Sequence, residues 1–179
     1  MPWNDWFHCM GHTYGTWLPG DPRSFRTRHH REHIEGDYKH PPPKGKYEAR
    51  HEHAKRLMKR EPVFLSVEQR ILIVRLMVES LQRRDLEVPV ASVTDIHFHI
   101  LARFPDHNPR HWIGIAKKES SYYAKQADLA PVGGLWAVRT KSLPVNDRGH
   151  QINTAKYVYD HVFEGGAVWY KRSVLVPKE

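Results

Sequence analysis

Residues 88–104 read Val88-Pro89-Val90-Ala91-Ser92-Val93-Thr94-Asp95-Ile96-His97-Phe98-His99-Ile100-Leu101-Ala102-Arg103-Phe104. The stretch is strand-like: Val93, Ile96, Phe98, Ile100 and Leu101 are its β-branched and bulky residues, and Pro89 is tolerated at its start. In a strand, residues i and i+2 point to the same face. His97 and His99 therefore share a face, where both imidazoles can reach one ion. Phe98 and Ile100 point the other way, toward a core. The chain holds 14 histidines, so this spacing also arises by chance and decides nothing alone.

The flanking elements set the fold class. Before the stretch, Ser66 with Gln69 forms a capping box. Ile71, Leu72, Val74, Leu76, Val78 and Leu81 then give a helix a broad apolar face, which ends at Asp85–Glu87. After it, Asn108-Pro109 starts a helix to about Asp128 that carries Trp112, Ile115, Ala116, Tyr122 and Tyr123. Core packing is expected for at least one of those tyrosines. Pro131-Val132-Gly133-Gly134 breaks the helix, and Leu135 to Val145 reads as a further strand. Asn146 or Asp147 caps a last helix to about Phe163, stopped by Gly165-Gly166. The tail from Ala167 adds a short strand. At the other end, Trp6–Trp17 reads as a strand closed by Leu18-Pro19-Gly20-Asp21-Pro22. The order is strand, insertion, helix, strand, helix, strand, helix. An α+β fold, an antiparallel sheet with helices packed mainly on one face, satisfies it.

The 179 residues suit a single domain, with 40% hydrophobic and 27% charged residues as in ordinary globular proteins. There is no apolar run of membrane-spanning length and no apolar leader segment, so a soluble, non-secreted protein is expected. Cys9 is the only cysteine, which excludes an internal disulfide and a cysteine-based zinc site; it reads as a small buried hydrophobe. The net charge of +8 suggests a polyanionic partner, nucleic acid first. Most of that charge lies in residues 23–61, with 12 Lys+Arg, 6 Asp+Glu, 6 histidines and the run Pro41-Pro42-Pro43. This segment reads as a basic, His-rich insertion with a short helix near 46–60. Its His29, His30, His33, His51 and His53 read as solvated.

The second chemical element is Tyr157 with His161. On a helix, i and i+4 lie a few ångström apart on one face. A tyrosine hydroxyl beside a metal ligand can lose its proton and attack phosphorus, forming a phosphotyrosine link. The bland alternative is an amphipathic pair on a surface helix.

Together these elements resemble a family. Asp95-Ile96-His97-Phe98-His99-Ile100-Leu101 is similar to the HUH motif, two histidines around a bulky hydrophobe. Lys156-Tyr157-Val158-Tyr159-Asp160-His161 looks like the nucleophile helix of that family. Thr13-Tyr14-Gly15-Thr16-Trp17-Leu18-Pro19-Gly20-Asp21 is similar to the first strand and turn of single-tyrosine transposases. The nearest subgroup is the REP-associated tyrosine transposases and IS200-like proteins. The resemblance covers most of the chain except 23–61. It implies a ferredoxin-like sheet and metal-dependent cleavage of single-stranded DNA, usually beside a hairpin, through a 5′-phosphotyrosine. Tyr157 would be the nucleophile. His97, His99 and His161 would ligate a divalent ion, magnesium or manganese, with zinc a third option. Relatives include dimers that exchange the tyrosine helix, so a homodimer is one expected state. Two departures stand out. The third ligand is usually Gln or Asn rather than His161, and a small polar residue usually stands where Ile96 does.

Further residues read as candidate DNA contacts: Arg139 and Lys141 on the strand before the tyrosine helix, with His150 and Lys156 near it. Trp17 or Trp136 can stack an unpaired base, although buried aromatics are commoner. Tyr159 points away from Tyr157, toward core or groove. Two rival functions fit the same residues. One is a catalytically silent binder of DNA hairpins that acts as a regulator. The other is a metal-dependent hydrolase of small phosphoesters that uses water as nucleophile.

Overall fold

The computed structural model describes residues 1–21, 40, 43–131 and 133–176. They fall into two units, one of residues 1–13 with 64–179 and one of residues 14–63. The first unit is an antiparallel sheet. Its strands are β1 (Trp6–His12), β2 (Val90–Val93), β3 (His97–Arg103), β4 (Lys141–Pro144), β5 (Ala167–Tyr170) and β6 (Ser173–Leu175). They run in the order β4-β1-β3-β2-β5-β6. In the second unit, the helix α1 (Glu48–Arg56) lies near the expected 46–60. About half of the basic insertion, including His29, His30, His33 and the start of the proline run, lies outside the described residues.

The strand-like run 88–104 is a hairpin rather than one strand. Val93 pairs with Phe98, and the Thr94 N–H donates to the His97 carbonyl. No glycine or proline marks this turn. Thr94 closes it instead, its hydroxyl accepting from the Ile96 and His97 N–H groups. The expected strand Leu135–Val145 is short for a different reason. The Lys117 ammonium, buried beneath the segment, takes up the Ala137 and Val138 carbonyls at 2.6 and 3.1 Å. Only Thr13–Trp136 forms an isolated bridge before β4 begins. Burial lowers the Lys117 pKa to about 8. The first strand stops at His12, with one further in-register bond beyond it, from the Thr13 N–H to the Ile96 carbonyl.

Helices α2 (Val67–Gln82), α3 (Pro109–Gln126) and α4 (Arg148–Asp160) complete this unit. The Ser66–Gln69 capping box is present on α2. On α4, Asp147 rather than Asn146 is the cap, accepting from the His150 N–H. Helices α2 and α4 both pack on β2, from opposite sides of the sheet. The two longest helices, α2 and α3, pack together over the face that carries Phe98 and Ile100. Helix α4 takes the face that carries the two histidines. Tyr122 and Tyr123 are both exposed. The buried stripe of α3 runs through Ile113, Ala116, Lys117, Ser120 and Ala124, and positions 122 and 123 fall off it. Cys9 is fully buried, which pushes its thiol pKa up to about 12. Among the described residues no helix is long and apolar enough to cross a membrane.

Gly11 lies opposite Phe98 in the β1–β3 register. A Cβ at Gly11 would come within 2.7 Å of the Phe98 ring, which is itself pinned edge-on against Trp136 at 5.1 Å. The Phe98 side chain is fully buried and has no room to give. Gly11→Ala should therefore overpack the sheet and destabilise the fold by about 1–3 kcal/mol, read by denaturant unfolding. An unchanged midpoint would contradict this packing.

Glu119 on α3 ties the end of α2, bonding Arg84 at 2.6 Å and Arg83 at 2.8 Å. The Arg84 bond holds the carboxyl down at about 2, against its ordinary 4.5. Because the folded pKa is lowered, this stabilisation is present above about pH 4.5 and is lost as pH falls toward 2. The pair is partly exposed, so Glu119→Gln should cost only about 1 kcal/mol at pH 7. The difference from wild type should close between those two pH values in a series of thermal melts.

Candidate functional site

Strand β3 presents His97 and His99 on one face, as its period of two requires. Helix α4 places its end over that face. Val158 and Val162 bury themselves against Trp6, Val90, Leu101, Val145 and Val168. These two valines are one position beyond Tyr157 and His161, so the docking that buries them turns the chemical pair toward the histidines. His161 is the first residue of a 3₁₀ turn, His161–Glu164. Its position is fixed from behind: the Gly166 N–H donates to its carbonyl at 2.8 Å, and any Cβ at Gly166 would strike the same oxygen.

The three histidines meet. Each offers a ring nitrogen, and these atoms lie within 4.8 Å of one another. The His99 and His161 rings stack at 4.7 Å, and the His97 ring stands edge-on to both. His161 Nδ1 donates to the Tyr157 carbonyl, which can only accept, so its lone pair is on Nε2. His97 Nδ1 lies 3.0 Å from the Thr94 hydroxyl. The Glu164 carboxylate stands 4.0 Å from His161 Nε2. The donor set fits a divalent ion of borderline softness.

Tyr157 closes the cluster, its ring edge-on to His99 at 5.3 Å and to His161 at 4.9 Å. It is 51% exposed, whereas His161 is 3% exposed. A large substrate can thus reach the hydroxyl while the imidazoles sit beneath it.

Two histidines of β1 join the cluster that the motif reading did not single out. His12 pairs with His97 in register, and His8 bonds His99, Nε2 to Nδ1, at 2.9 Å. The signal was available: on a strand, His8 and His12 share a face, as His97 and His99 do. What no spacing rule supplies is which strand neighbours β3. Burial lowers the His8 pKa to about 4 and that of His99 further still, and neighbouring imidazoles add to the shift. Such crowding favours neutral imidazoles with lone pairs to offer.

The remaining candidates sit around this centre. Lys141 is exposed on β4 opposite Met10, so it shares the face of His8 and His99. Arg139 is exposed just before β4 rather than in it. His150 accepts the Asn146 N–H through Nδ1 in the first turn of α4. Lys156 is exposed and pairs with Asp160 at 2.6 Å. Trp136 is taken up in packing, its indole N–H donating to Ser120. Trp17 lies in the second unit. Tyr159 packs against the apolar cluster beside Tyr170.

No family model matches the sequence. No curated protein matches it either. Among solved structures the chain is similar to a REP-associated tyrosine transposase bound to a REP hairpin, with a TM-score of 0.51 and 9% sequence identity. The match covers 92% of this chain and 69% of that one. The chain shares with that transposase the α+β fold of an antiparallel sheet with flanking helices.

Proposed function

We propose that the chain is a single-strand DNA endonuclease and strand transferase of the HUH type, with Tyr157 as its covalent nucleophile. One observation carries the reading: Tyr157, from the last helix, and His161, from the 3₁₀ turn that follows it, converge on His97 and His99, from a strand about sixty residues earlier. Chance accounts for two histidines on a strand, or for a Tyr–His pair on a helix. It accounts poorly for both pairs meeting at one point, in a fold shared with a transposase solved on hairpin DNA.

In this reading Tyr157 loses its hydroxyl proton to solvent and its oxygen attacks the scissile phosphorus in line. The bond from phosphorus to the 3′ oxygen breaks, and that oxygen leaves as a 3′-hydroxyl after taking up a proton. The DNA remains as a 5′-phosphotyrosine until an incoming 3′-hydroxyl reverses the step. His97, His99 and His161 would hold a divalent ion, which would polarise a non-bridging oxygen of the phosphate and offset its developing charge. Three imidazoles make a softer set than the two-histidine, one-amide set of the resembled family, and favour manganese or zinc over magnesium. Lys141, on the same face, is placed for a phosphate contact. Arg139, His150 and Lys156 are candidate backbone contacts around it. Single-stranded DNA with a hairpin is the proposed partner.

The nucleophile is tested with Tyr157→Phe. The variant should bind hairpin oligonucleotides as wild type does, yet form no covalent adduct with manganese. An adduct that persists removes Tyr157 from the role. Salt-sensitive DNA binding without cleavage by wild type under any metal would favour the silent binder. Full turnover of small phosphoesters without Tyr157 would favour the hydrolase.

The metal site has its own prediction. Excess manganese or zinc should stabilise the wild type by about 2.7 kcal/mol at a hundred times Kd, read as a rise in its melting temperature. His161→Ala should abolish most of that gain, and an undiminished shift would exclude His161 as a ligand.

A further inference from the structure

His8 is 9% and His99 7% exposed, and their bond at 2.9 Å joins two ring nitrogens, His8 Nε2 and His99 Nδ1. Between two neutral imidazoles one nitrogen must carry the hydrogen and the other the lone pair. If His8 donates, His99 holds its own hydrogen on Nε2 and offers no lone pair there. If His99 donates, its hydrogen is on Nδ1 and its Nε2 presents a lone pair. His161 already has this second arrangement, its Nδ1 donating to a carbonyl that can only accept. His8 Nε2 is engaged with His99 Nδ1, so it does not double as a further ligand to the same ion. The two residues are diagonal neighbours across β1 and β3, within side-chain reach in a sheet.

We propose that His8 is a positioning residue. By accepting the Nδ1–H of His99 it holds His99 Nε2 as a lone-pair donor toward the point shared with His97 and His161. The inference rests on reading those three histidines as a metal site. It assigns to an imidazole the task that a carboxylate or backbone carbonyl performs behind most metal-ligating histidines. Within the sheet, the face of β1 that lies under α4 offers His8 for it.

The test is metal affinity with cobalt(II) and manganese(II) alone, measured by calorimetry, with the cobalt absorption spectrum as the record of ligand number. His8→Met keeps bulk but removes the acceptor. It should weaken binding about 10–100-fold while the cobalt spectrum keeps the wild-type band shape. His8→Gln, whose amide oxygen can accept from His99, should recover most of that loss. Unchanged affinity in His8→Met overturns the proposal, and so does a changed cobalt spectrum, which would make His8 a ligand. Should His8→Met fail to fold, nitrogen-15 spectra of the wild-type histidines read the tautomer directly. Hydrogen on His99 Nδ1 upholds the assignment, and hydrogen on Nε2 overturns it. A wild type that binds neither ion brings down the metal reading and this inference together; a wild type that binds both, with His8→Met unaffected, brings down the inference alone.

Discussion

The site depends on the apolar contact that seats the last helix on the sheet. Val158 and Val162 insert among Trp6, Val90, Leu101 and Val168. Burying an aliphatic side chain of that size contributes about 1.5–3 kcal/mol. Two such contacts, one on α4 and one on the 3₁₀ turn that follows it, fix the rotation of the helix end about its axis. Because Tyr157 and His161 precede the two valines by one position each, that rotation also sets where the tyrosine and the third imidazole point. The geometry of the histidine cluster is thus a consequence of ordinary core packing.

The opposite face of the sheet is the other half of the device. Phe98 is locked between Gly11, whose missing side chain its ring replaces, and the edge of Trp136. A side chain clamped on one face of a strand fixes the orientation of its neighbours on the other. His97 and His99 are held on both sides of that clamp, and the Thr94 turn anchors the first of them through its ring and its backbone. The crowding of five imidazoles is costly if they are charged. Burial resolves this for His8 and His99, whose pKa values it lowers toward the neutral form.

Much of this was legible in the sequence. The capping box of α2, the burial of Phe98 and Ile100, the shared face of His97 and His99, and the pairing of Tyr157 with His161 all follow from local periodicity. What escaped was set by partners distant in sequence. The hairpin at Thr94–His97 uses a hydroxyl where a glycine turn is the usual signal. Residues 135–140 look like strand, yet they lend their carbonyls to the Lys117 ammonium about twenty residues away. The helix pattern puts at least one of Tyr122 and Tyr123 in the core, yet a stripe of smaller residues does the packing. His8 enters the cluster only because β1 lies beside β3, a pairing that no short-range pattern announces.

In the proposed reaction one phosphoryl group becomes attached to one tyrosine beside three histidines. Peptide mapping by mass spectrometry, after incubation with single-stranded hairpin oligonucleotides and manganese, tests it most directly. The proposed chemistry gives a nucleotide-bearing peptide modified at Tyr157. Modification at Tyr159 or elsewhere, or strand cleavage with no modified peptide, would contradict it.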